Sequence, residues 1–264
     1  MRGRALAAAL VLYGVWTLAT WFLEGRIETL LRPEATLDRA TYALIANILI
    51  GTGAALAMLA RILRRGVGSA PASGFAPVGR IAVSVACGLA LGASAYALQG
   101  GPLDRPVIVL NAFAQVLVVS IAEVVVCWAV VASTVAAVLG DRPWRFVIAA
   151  AAASLLFGAY HFAHSPPFDS WPMVALLTAA GLATSAFFLV ARDLYGTIAF
   201  HNFLGVFGVV AALSAKGELG SLAELQPPLL GMAALSLAAL FVADRLLIRG
   251  RHAGAPGRRS ARPS

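Results

Sequence analysis

Eight apolar stretches leave this 264-residue chain few folds to choose from. Each approaches or exceeds the roughly 20 residues that a helix needs to cross a bilayer. They run approximately Ala5–Leu23, Ala40–Ile62, Ile81–Leu98, Val107–Leu139, Phe146–Phe162, Met173–Ala191, Tyr195–Leu213 and Leu229–Ile248. Composition agrees: 60% of residues are hydrophobic and 12% charged, and the mean hydropathy is +0.85. A soluble globule of this length could not cover its surface with so few polar groups. The expected fold is all-α, a polytopic membrane bundle of about eight transmembrane helices in a single domain over residues 1–248. The fourth stretch, 33 residues long, exceeds one crossing. It is expected to be one long tilted helix, or to begin as a surface or re-entrant segment near Asn111 and Gln115. The first stretch has the outline of a signal peptide behind Arg2 and Arg4. No small-x-small cleavage site precedes Glu24, so it reads as a retained helix.

The net charge is +8. In a membrane protein such a balance belongs to cytoplasmic loops rather than to nucleic-acid binding, and no nucleic-acid partner is expected. With the N-terminus inside, 15 of the 20 Lys and Arg residues fall in cytoplasmic segments and 5 outside. Both termini are therefore expected on the cytoplasmic side of the plasma (cytoplasmic) membrane. Ser69–Pro77 reads as a flexible cytoplasmic loop, and residues 249–264 as a basic disordered tail. Membrane lipid is the expected surrounding. Cys87 and Cys127 lie within apolar stretches, which argues against a disulfide framework.

Charge at mid-membrane costs about 2.5–3.5 kcal/mol on insertion scales, so ionisable residues inside spans point to function. Glu123 lies in the middle of the fourth stretch. His161 and His164 close the fifth, and His201 and Asn202 lie inside the seventh. Helical spacing places Glu123 with Cys127, Asn111 with Gln115, and His201 with Gly205 on shared faces; Phe157, His161 and His164 form a further stripe. A carboxylate and imidazoles from three helices in one site could polarise a water and stabilise an oxyanion. From Arg145 to His161 is 16 residues and from Arg192 to His201 nine. At 1.5 Å per residue the two imidazoles would differ in depth by about 10 Å if both helices began level. The fifth helix must start lower or tilt for them to meet.

The order of these elements resembles the CAAX protease and bacteriocin-processing (CPBP) family. That family's motifs are Glu-Glu-x-x-x-Arg, Phe-x-x-x-His and His-x-x-x-Asn. Phe157–His161 matches the second, and Gly-Thr-Ile-Ala-Phe-His201 matches the third by context, over a core of about 107–209. The first motif departs. In one register Ala122-Glu123 forms the pair and Cys127 replaces Arg; in the other Glu123-Val124 forms it and Trp128 replaces Arg. Gly205 stands where the third motif has Asn. The resemblance implies an intramembrane endopeptidase acting on a membrane-associated protein or peptide. Glu123, His161 and His201 would be catalytic, with Asn202, His164 and Cys127 in support. It leaves open whether the enzyme is glutamate-type or holds a metal; Glu123, His161 and His201 would suit zinc. A catalytically inactive relative with an immunity or scaffold role remains the nearest alternative. A solute or proton transporter and a bis-histidine haem protein are more distant ones.

Overall fold

The computed structural model describes residues 1–32 and 34–250. Eight helices among them are long and apolar enough to cross a membrane: α1 (Arg2–Gly25), α2 (Thr36–Arg64), α3 (Val78–Leu98), α4 (Pro106–Leu139), α5 (Arg145–Ala163), α6 (Trp171–Ala191), α7 (Leu194–Lys216) and α8 (Pro227–Arg249). The described residues contain no strand. With its apolar helices this is an integral membrane protein. The helices follow the eight apolar stretches to within a few residues at most ends. Residues 251–264, including His252 and nearly all of the expected tail, lie outside the described residues. Arg249 itself belongs to α8, where its Nε is 2.9 Å from Asp244 Oδ2.

The fourth stretch forms one continuous helix, with no surface or re-entrant segment at its start. It is apolar on nearly every side, and a helix with no polar face has to be surrounded by others. From Ala114 through Ala132 almost every residue of α4 is buried. The other helices wrap it and turn Leu and Val side chains outward, among them Val11, Val83, Leu176 and Val242. Such an apolar exterior suits lipid contact.

Two polar residues near the start of α4 hold loops rather than marking a surface segment. Asn111 Nδ2 donates to the carbonyls of Leu222 (2.9 Å) and Glu224 (2.7 Å), and its Oδ1 accepts from Gln226 N. Gln115 Nε2 donates to the Leu30 carbonyl at 2.9 Å. They fasten the α7–α8 and α1–α2 connections to the central helix. The 69–77 connection is also fixed, contrary to its flexible composition. Pro71–Ser73 forms a helical turn, Phe75 and Ala76 are buried, and Leu194 N donates to the Gly74 carbonyl at 2.7 Å. Gly74 takes φ +88° there, with Phe188 Cε2 2.8 Å from where a Cβ would stand. A side chain would be strained and crowded at that position.

Candidate active site between α4, α5 and α7

Glu123 lies midway along α4, where α-helical hydrogen bonding gives way to a wider π-helical stretch over Val124–Ala132. Such widenings recur at functional sites. His161 opens the short 3₁₀ turn that ends α5. His201 lies in the first half of α7, a helix capped by Asp193, whose Oδ1 accepts from Gly196 N at 2.7 Å.

The three side chains converge. His201 Nε2 donates to Glu123 Oε2 at 3.0 Å. His161 Nε2 is 3.7 Å from Glu123 Oε1. One carboxylate therefore reaches both imidazoles, and the depth offset anticipated from helix lengths is closed. The far nitrogen of each ring is also engaged. His161 Nδ1 donates to the Phe157 carbonyl at 2.9 Å, which fixes the proton there because a carbonyl can only accept. His201 Nδ1 is 2.9 Å from Thr184 Oγ1. Trp128 and Phe157 pack on the His201 ring, with centroids 5.4 and 5.0 Å away. The Trp128 indole is held by Ser185 Oγ at 2.8 Å.

The residues expected to support the site divide. His164 is close: its ring stacks on His161 with centroids 5.1 Å apart. Its charge partner, however, is Glu24 at the end of α1, with Nδ1 3.0 Å from Glu24 Oε2. That contact lies off the hydrogen-bond direction, so neither ring nitrogen of His164 has a hydrogen bond. Asn202 does not support the site. Its amide donates to the Phe113 carbonyl at 3.2 Å and ties α7 to α4, because the residue after His201 on a helix points about 100° away. Cys127 is fully buried in the aliphatic core. Trp128, not Cys127, touches His201.

The expected metal set also changes. The ligand atoms that lie within 4.8 Å of one another belong to Glu123, His161 and His164. His201 is not in that set; its two nitrogens face Thr184 and Glu123.

Glu24 was hidden from sequence reading. It follows Trp21-Phe22-Leu23 at the end of an apolar run, where an acid reads as facing water. It is instead fully buried. Its carboxylate accepts from Ser165 N (3.0 Å) and Ser165 Oγ (2.5 Å). Gly25 permits this approach, since a Cβ there would collide with the Ala163 carbonyl. Glu123, then, is not the only acid inside the bundle. Thr184 carried no signal that could have linked it to His201.

Glu123, His161, His164 and His201 open together on a cavity of about 80 Å³. Its other walls include Leu30, Val119, Phe168 and Leu204, with Gly205 and Gly208 leaving room. Gly205 stands against Val116, whose Cγ1 is 2.6 Å from where a Cβ would be. An Asn side chain there would require the Val116 side chain to shift.

No curated protein and no solved structure matched the chain. Residues 105–207 match the family model described as Type II CAAX prenyl endopeptidase Rce1-like. That segment runs from the residue before α4 to the middle of α7 and contains Glu123, His161 and His201. Over residues 105–207 the chain is thus similar to the Rce1-like type II CAAX prenyl endopeptidases, the CAAX-protease-like membrane family that its motif order resembles.

Proposed function

We propose that this protein is an intramembrane endopeptidase that hydrolyses a peptide bond in a membrane-associated protein or peptide, with Glu123 as general base. The observation that carries the reading is the asymmetric environment of one carboxylate. Glu123 Oε2 is held by His201, while Oε1 and the unprotonated His161 Nε2 face the cavity together. A water entering there meets two acceptors, which draw on its protons and make its oxygen more nucleophilic. Its oxygen adds to the scissile carbonyl carbon as one proton passes to Glu123. That proton then goes to the leaving amine as the C–N bond breaks. The aliphatic walls exclude bulk water and suit a substrate arriving from lipid.

The family's second Glu and its Arg are missing. His201 takes over the task of orienting the carboxylate, and Trp128 and Phe157 hold His201 in turn. A catalytically silent scaffold is the second reading. It is favoured by Gly205, which supplies no side-chain donor for an oxyanion.

One assay separates them. Purified protein in proteoliposomes is given a prenylated CAAX peptide and unprenylated membrane peptides, and products are read by mass spectrometry in ¹⁸O-water. Cleavage with one ¹⁸O in the new carboxyl is expected, falling at least about 100-fold in Glu123→Gln. Equal cleavage by parent and variant would remove Glu123 from the chemistry, and no cleavage of any peptide would favour the scaffold.

A further inference from the structure

We propose that a second cavity, between the end of α4 and the start of α5, seats one anionic phospholipid, with its phosphate at Arg145 and Arg192 and an acyl chain inside. The proposal does not rest on the hydrolase reading, since it concerns lipid binding at a separate place in the fold.

Three observations carry it. The first is the space itself. A cavity of about 230 Å³ lies between the second half of α4, the first turns of α5, the end of α6 and residues 68–72. The cavity at Glu123 holds only about 80 Å³. Ala136, Ala149, Phe188 and Leu189 are among its walls, and the hydroxyls that reach it are already spent. Ser133 Oγ donates to the Ala129 carbonyl. Ser185 Oγ accepts from Trp128 Nε1 at 2.8 Å and lies 3.0 Å from Ser154 Oγ. A void lined this way forfeits packing contacts until something fills it, and its walls suit hydrocarbon.

The second is charge at the edge. Arg145 and Phe146 line the same cavity. The guanidiniums of Arg145 and Arg192 both lie over the Phe146 ring, 4.7 and 5.7 Å from its centroid. Arg145 pairs with Asp141, a fully exposed carboxylate, at 3.2 Å. Arg192 has no ion pair or side-chain hydrogen bond among the described residues. It also takes φ +48°, a left-handed conformation that strains an L-residue. Glycine would make that turn without strain, whereas arginine brings a cation to the cavity's edge. Two guanidiniums against one carboxylate leave one positive charge, and the single negative charge of a phosphodiester balances it.

The third is depth. The edge belongs to the α4–α5 turn, where Trp144 is exposed and Arg142 lies 5.1 Å over its ring. Tryptophan gathers at the membrane–water boundary, and arginine in the cytoplasmic loops beside it. The guanidiniums therefore stand at headgroup level, with the cavity behind them at the level of acyl chains. Basic pockets between transmembrane helices recognise anionic headgroups at this depth. Trp128 is part of the cavity wall, and its indole packs on His201. An acyl chain seated there also backs that contact.

The test uses the full chain, delipidated in neutral detergent, with bound lipid counted by native mass spectrometry. Phosphatidylglycerol is titrated in parallel with phosphatidylcholine and inorganic phosphate. One phosphatidylglycerol per chain is expected, bound at least about 5-fold tighter than phosphatidylcholine, and no stoichiometric inorganic phosphate. Arg192→Gln should weaken phosphatidylglycerol about 5-fold, the loss of one cation beside an anionic headgroup. Arg245→Gln removes a cation that stacks on Phe241 of α8 instead, and should leave binding within about two-fold. Ala136→Phe fills the cavity with every charge in place, and should weaken binding at least about 10-fold. Should Ala136→Phe fail to fold, Arg192→Gln against Arg245→Gln carries the test. The proposal is overturned if no lipid binds stoichiometrically, or if Arg192→Gln and Arg245→Gln weaken binding equally, as a general basic belt would. Parent-like binding by folded Ala136→Phe also overturns it, since the chain would then have no seat.

Discussion

A carboxylate inside a bilayer is costly unless its charge is answered. Glu123 and Glu24 are answered differently. Glu24 has two Ser165 donors and a histidine, so both its oxygens are in use. Glu123 has one donor on one oxygen and an open cavity at the other. That difference is why Glu123, and not Glu24, is proposed as the general base. Asn202 shows why adjacency in sequence is a poor guide to a site. Its amide serves the Phe113 carbonyl, and losing one such hydrogen bond costs about 0.5–1.5 kcal/mol. Asn202→Ala is therefore expected to lower thermal stability in detergent by that amount while leaving the turnover of folded protein within about three-fold. A collapse in turnover at unchanged melting temperature would return Asn202 to the chemistry.

Among the elements, α4 carries the proposed general base Glu123, and α7, packed closely on α3, brings His201 to it. Ser84, Gly88, Gly92 and Tyr96 form a buried stripe at four-residue spacing on α3, and small residues on such a stripe let helices approach closely. A Cβ on Gly88 would strike the Gly196 carbonyl, and one on Gly92 would lie 2.8 Å from Phe203 Cδ2. Gly88→Leu is expected to force α7 away from α3 and to cost roughly 1–3 kcal/mol. Because His201 rides on α7, it should weaken the His201–Glu123 contact as well. Thermal unfolding measures the first effect, and unchanged stability would show that the seam can give. The α1 terminus works the other way. Gly25 lets it approach the Ala163 carbonyl, and this brings Glu24 to His164.

Across the whole molecule, positive charge sets the expected orientation. Fifteen of the 20 basic residues lie in segments that face one side if α1 begins in the cytoplasm, and such a bias governs insertion. A reporter fused after residue 250 should read as cytoplasmic, and one placed in the loop between α7 and α8 as external. The reverse pattern would overturn the orientation.

Hydropathy alone determined the eight helices, because hydrocarbon admits no unsatisfied backbone and so turns each long apolar run into a helix. The rarity of ionisable residues in those runs also made Glu123, His161 and His201 visible, since each must find a partner. Partner choice was not legible. It depends on rotation and depth of helices far apart in sequence, which a few small residues such as Gly25 and Gly88 decide by permitting close approach. Packing put His164 on Glu24, sent Asn202 and Cys127 away from the cavity, and fixed the 69–77 loop whose composition suggested freedom. Glu24 reads as interfacial in one dimension. It became an interior residue only when α1, α5 and Ser165 closed around it.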